Sequence, residues 1–112
     1  MMNNNGNPDK SKMIEKLQNL YFLQKEEKKG VLQELFECLK NESIEKMFKR
    51  IHLDILSNLV DELHKDDLAI SHIKEKRENK ELFLRLYNKL EKEEQKLVVT
   101  VIVGLILAKL SN

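Results

Sequence analysis

The run Leu97-Val-Val-Thr-Val-Ile-Val-Gly-Leu-Ile-Leu-Ala-Lys-Leu110 decides how this chain folds. Lys109 is its single charged residue, in a chain that is 35% Asp, Glu, Lys and Arg. A segment that is apolar on every side must be enclosed by other structure. As a helix the run spans about 21 Å at 1.5 Å per residue, short of the roughly 30 Å of a bilayer core, so no membrane span is predicted. Its Val-Val-Thr-Val-Ile-Val core is β-branched and would suit a strand. A lone strand has no partner to satisfy its edges. The run therefore reads as a buried helix, packed inside the molecule or at an oligomer interface.

The rest of the chain agrees with helix. Three glycines and one proline are too few to turn the strands of a sheet. Polar residues 1–7 form an expected flexible leader, and residues 8–112 an expected single domain. Asn7 and Pro8 suit an N-cap and first helical position. The first helix directs Met13, Ile14, Leu17, Leu20, Tyr21 and Phe22 inward. After a break near Gln24–Glu27, a second carries Val31, Leu32, Leu35, Phe36 and Leu39. A third, capped by Asn41 or Ser43, has the longest stripe: Ile44, Phe48, Ile51, Ile55, Leu59 and Leu63. Asp66 and Asp67 interrupt it, and Leu68, Ile70 and Ile73 make a weaker patch. Residues 74–80 read as a solvated connector or an exposed helical turn. Leu82, Phe83, Leu86, Tyr87 and Leu90 mark the next helix, and the closing one runs from about Lys92 to Leu110. The prediction is an all-α bundle of four to six helices.

Two segments echo one another. Leu20-Tyr21 matches Leu86-Tyr87. After a slip of one residue, Lys25-Glu-Glu-Lys-Lys29 matches Lys92-Glu-Glu-Gln-Lys96. Val31, Leu32, Leu35, Phe36 and Leu39 then match Val98, Val99, Ile102, Val103 and Ile106. Each unit reads as an αα-hairpin, by duplication or by chance among common helix formers.

Composition excludes several functions. Twenty basic and nineteen acidic residues give a net charge of +1, which disfavours nucleic-acid binding through bulk charge. Cys38 is the only cysteine, so no disulfide framework or thiolate metal cage forms within one chain. The opening residues do not resemble a signal peptide, and a cytoplasmic location is expected. Of His52, His64 and His72, His64 has a potential ligand at helical zinc spacing in Asp61, and these three are read as ordinary surface histidines with no metal expected. No nucleophile–base pair is evident, so neither an enzyme nor a cofactor is expected. Glu62-Leu63-His64-Lys65-Asp66 slightly resembles the histidine box of sensor kinases, although Lys65 replaces the acid that follows the histidine there.

Residues 84–109, Leu-Arg-Leu-Tyr-Asn-Lys-Leu-Glu-Lys-Glu-Glu-Gln-Lys-Leu-Val-Val-Thr-Val-Ile-Val-Gly-Leu-Ile-Leu-Ala-Lys, resemble the C-terminal tail of phage-type helix-turn-helix repressors. Those tails read as a Leu-rich helix, an acidic turn ending in Gln, and an apolar helix ending in Lys or Arg. Leu86, Leu90, Glu94, Gln95, Val98, Ile102 and Lys109 carry the pattern. The resemblance implies self-association and a phage or mobile-element origin. No Gly-containing tight turn between short helices appears upstream, so the likeness is to the interaction half of a regulator without its DNA reader.

The function expected from the sequence is a small regulatory protein–protein interaction module that docks helices with a partner regulator or with itself as a homodimer. Phe83, Tyr87, Thr100, Ile102, Val103, Gly104, Ile106 and Ala108 are the expected interface residues. Thr100, Gly104 and Ala108 form a stripe of small residues that permits close helix approach. Two alternatives stay open. One is a DNA-binding transcriptional regulator using Lys46, Lys49, Arg50, Lys74, Lys76 and Arg77. The other is a stand-alone histidine phosphotransfer protein acting through His64.

Overall fold

The computed structural model describes residues 7–41, 48–65 and 73–111. Among them are five α-helices, one 3-10 turn and no strand. The helices are α1 (Asn7–Gln18), α2 (Lys25–Lys40), α3 (Leu53–Leu63), α4 (Ile73–Asn88) and α5 (Lys92–Ser111), with the 3-10 turn at Leu20–Phe22. The chain is an all-α bundle.

α3 is the hub. It packs on α1, the 3-10 turn, α4 and α5, while α2 lies along α5 and also meets α1. α2 and α5 run antiparallel. Lys25 and Lys28, at the start of α2, share a cavity with Ile106 and Lys109 near the end of α5, and Phe36 further along α2 faces Gly104. The two echoed segments therefore pack against each other. Leu17, Leu20, Leu32, Leu35, Ile55, Leu59, Val99 and Val103 are fully buried between the helices. Each such side chain contributes about 1.5–3 kcal/mol relative to exposure.

The helix starts follow from local chemistry. Gln24 has an extended backbone, and its N–H donates to the Glu27 carboxylate three residues on, at 3.4 Å. The Glu91 N–H donates likewise to Glu94, at 3.0 Å. Both echoed Lys-Glu-Glu triplets thus fall on the first turn of a helix, where acidic side chains complement the positive end of the dipole.

The helix ends are closed differently. Helices commonly stop on a glycine, and this chain has almost none to use. Side chains from other helices cap the last carbonyls instead. Asn58 of α3 donates to the Gln18 carbonyl at 2.8 Å. Gln95 of α5 donates to the Tyr87 carbonyl at 2.9 Å. Lys109 of α5 donates to the Leu63 carbonyl.

Two expectations need correction. The long third helix is broken: His52 is extended (φ −90°, ψ 166°) and α3 begins only at Leu53. The corner lets both Phe48 and Ile55 reach the core. Tyr21 and Phe22 do not point inward. The chain tightens into a 3-10 turn after Asn19, which keeps Leu20 buried and leaves Phe22 85% exposed. Asn41 is the C-cap of α2, and residues 42–47, where its successor is expected to start, lie outside the described residues. Residues 74–80 belong to α4, where Arg77, Glu78 and Asn79 are exposed and Lys80 ties the helix to Asp61 of α3 at 2.8 Å. Ser43, Ile44, Asp66, Asp67, Leu68, Ile70 and residues 1–6 of the leader lie outside the described residues.

Candidate interaction surface

α5 is apolar round its whole circumference, and the bundle encloses only part of it. Val99, Ile102, Val103 and Ile106 are buried against α2 and α3. On the opposite side Leu97, Val101 and Leu105 are 66%, 57% and 49% exposed. These three recur every fourth residue and form one row, with the exposed Glu93 one step before it and the half-buried Lys109 one step after. Side chains four apart are neighbours on a helix surface.

The interface residues expected from sequence divide between core and surface. Ile102, Val103 and Ile106 are core residues of the monomer, so within this fold they are not open to a partner. The reason is α2, whose apolar face covers them. Tyr87 is also buried, and Phe83 is half-buried beside it with ring centroids 6.3 Å apart. Burial holds the Tyr87 hydroxyl protonated, its pKa pushed up to about 12. Thr100 is half-buried and its hydroxyl donates to the Lys96 carbonyl of its own helix at 2.7 Å. Gly104 faces inward to Phe36. A Cβ added there would sit 3.5 Å from the Phe36 ring, whose face carries the Lys40 ammonium at 4.3 Å. Ala108 alone of the eight is exposed. The small-residue stripe is thus a bevel between core and surface.

Leu97, Val101 and Leu105 were not among the residues expected from sequence. Their four-residue spacing is legible there; their phase is not, because apolar neighbours on all sides give the helix no preferred inner face. Leu82 and Leu86 of α4 and Leu53 of α3 are further exposed apolar residues.

The other expected features are also placed. His64 is exposed and terminates α3 as its C-cap, at a helix end rather than along a helix face. His52 is the N-cap of the same helix, and His72 lies outside the described residues. No three potential metal ligands are grouped among the described residues. Lys49, Arg50 and Arg77 are exposed; Lys46 and the side chains of Lys74 and Lys76 lie outside what is described. Cys38 is half-buried against the core. No described helix is long and apolar enough to cross a membrane. Comparison with family models, curated proteins and solved structures finds no match to this chain.

Proposed function

We propose that the chain is a small protein–protein interaction module that docks through the outer row of α5, and that the occupant of the row is a second copy. The observation that carries this reading is the order Glu93, Leu97, Val101, Leu105, Lys109 along one line of the helix. A two-fold interface needs a self-complementary patch. When two such rows cross antiparallel with Val101 on the axis, Leu97 meets the second copy's Leu105 and Glu93 falls near its Lys109, whose ammonium also caps the Leu63 carbonyl of its own chain. Apolar residues then meet at the centre, opposite charges at the rims, and the two helix dipoles oppose each other favourably. Rows of this spacing interdigitate in the commonest helix-packing geometry. The row is short, so the pairing is weak and concentration-dependent. Such a reversible dimer suits a regulatory circuit, consistent with the repressor-tail resemblance of residues 84–109.

Sedimentation velocity across a concentration series tests the reading. The parent chain moves from monomer towards dimer as concentration rises. Val101→Asp sets two carboxylates face to face and stays monomeric, with unchanged circular dichroism because Val101 is already exposed. A parent chain that is monomeric throughout, or a Val101→Asp variant that still dimerises, overturns the self-docking assignment.

A further inference from the structure

α4 carries apolar residues on two sides and buries little of either. Among its described side chains only Tyr87 is buried, whereas α2 and α3 each bury five residues and α5 four. Phe83 and Leu84 are half-buried, and Leu82 and Leu86 are 48% and 53% exposed. α3 is the helix on which α4 packs, whereas α2 is held by both α1 and α5.

What holds α4 differs along its length. The C-terminal end is anchored. Tyr87 sits in the core with the Phe83 ring beside it, and the Gln95 side chain of α5 donates to the Tyr87 carbonyl at 2.9 Å. Two turns earlier, Lys80 donates to both carboxylate oxygens of Asp61 on α3, at 3.0 and 2.8 Å. These two side chains are 27% and 30% exposed, so solvent and salt reach the pair and screen it. Towards the N-terminus from there, Arg77, Glu78 and Asn79 are exposed.

Segments with few buried apolar contacts are the ones that open without global unfolding. Residues 77–86 hold no Gly, Pro or β-branched residue, and Glu81 precedes Arg85 by four, an order that supports a helix without tertiary partners. α4 has only 16 residues, and a detached helix of that length is marginal in water. Its amides therefore exchange once it leaves α3.

We infer that α4 is a strap that lifts from α3 while the rest of the bundle stays folded, pivoting at its anchored Tyr87 end and released by loss of the Lys80–Asp61 pair. In the lifted state α3 loses its cover on the Asp61 side, and Leu84 joins Leu82 and Leu86 in solvent. Ionic strength sets the balance, because the pair is the part of the attachment that salt weakens. This movement is independent of the α5 row, and its test does not depend on oligomeric state.

Native-state hydrogen exchange of the full chain, followed residue by residue by NMR, decides the matter. Corrected for intrinsic rates, the α4 amides of Glu81 to Leu84 exchange about tenfold or more faster than the α2 amides of Leu32 to Leu35. Asp61→Asn speeds the α4 amides by about two- to fivefold and leaves the α2 amides unchanged. Raising salt from about 0.01 M to about 1 M speeds the α4 amides by a similar factor in the parent and not in Asp61→Asn. Glu37→Gln, which removes an exposed carboxylate of α2, changes nothing in α4. Equal protection of α4 and α2 overturns the inference. An Asp61→Asn variant in which both accelerate alike overturns it too, because α4 would then open only with the whole bundle. α4 amides that do not respond to Asp61→Asn, or whose salt response survives it, overturn the role given to the Lys80–Asp61 pair.

Discussion

Lys28 of α2 donates to Glu62 of α3 at 2.8 Å, and both side chains are more than nine-tenths buried. Removing one partner of such a pair leaves an uncompensated charge in the interior. Lys28→Met is expected to destabilise the fold by about 3–5 kcal/mol, whereas Lys28→Met with Glu62→Met is expected to be neutral or stabilising by about 1–4 kcal/mol. Urea unfolding of the two variants and the parent measures both numbers. A single variant within about 1 kcal/mol of the parent would show that water shields the pair as it shields surface pairs.

Gly104 offers the opposite case, a place where atoms can be added. A Cβ there meets the Phe36 ring at 3.5 Å, an ordinary contact. Gly104→Ala is expected to raise stability by about 1 kcal/mol through helix propensity. Gly104→Leu must displace Phe36 from between Gly104 and Lys40, and a cost of about 1–3 kcal/mol is expected for overpacking. Chemical denaturation reads both signs, and a destabilising alanine would refute the packing described for this position.

The caps that cross between helices should each be measurable. Asn58→Ala and Gln95→Ala each remove one hydrogen bond to a terminal carbonyl, at Gln18 and Tyr87. Each is expected to cost about 0.5–1.5 kcal/mol. Hydrogen exchange should quicken locally, at the end of α1 for the first variant and the end of α4 for the second. Uniform acceleration across the bundle would contradict a local capping role.

Alkaline pH should expose the buried phenol. Tyr87 holds its proton up to about pH 12 when folded because burial disfavours the phenolate. The unfolded chain releases that proton near pH 10. Below pH 10 the two states carry the same proton and the group has no effect on stability. Between 10 and 12 the unfolded state alone ionises, so stability falls as pH rises. Tyr87→Phe should therefore lose less stability over this window than the parent. Tyr21 behaves alike in direction: desolvation, then the nearby Asp61 and Glu62 charges, push its pKa up to about 12. Parallel pH profiles of Tyr87→Phe and the parent would exclude this contribution.

Much of the fold is legible in the residue pattern. The helical class, the break before Lys25 and the start of α5 at Lys92 follow from apolar spacing and acidic first turns. The corner at His52 is not legible, because Phe48, Ile51, Ile55 and Leu59 keep a helical period straight through it and no Gly or Pro marks the bend. The proposed interface is legible only in part. Ile102, Val103 and Ile106 look exposed to a partner until α2 is seen to cover them, since the phase of an all-round apolar helix is set by its neighbours. The lysine-lined cavity is illegible for another reason: its walls come from three distant segments that only the packed bundle brings to one end.

Lys109 closes α3 from 46 residues downstream. During synthesis the last turn of α3 is therefore translated well before its cap, a delay on the order of seconds at ordinary elongation rates. Through that interval the end of α3 lacks this cap, and the part of α3 that α5 covers lacks its partner. Docking of α5 ends the interval, so one side chain couples closure of the α3 terminus to the synthesis of α5.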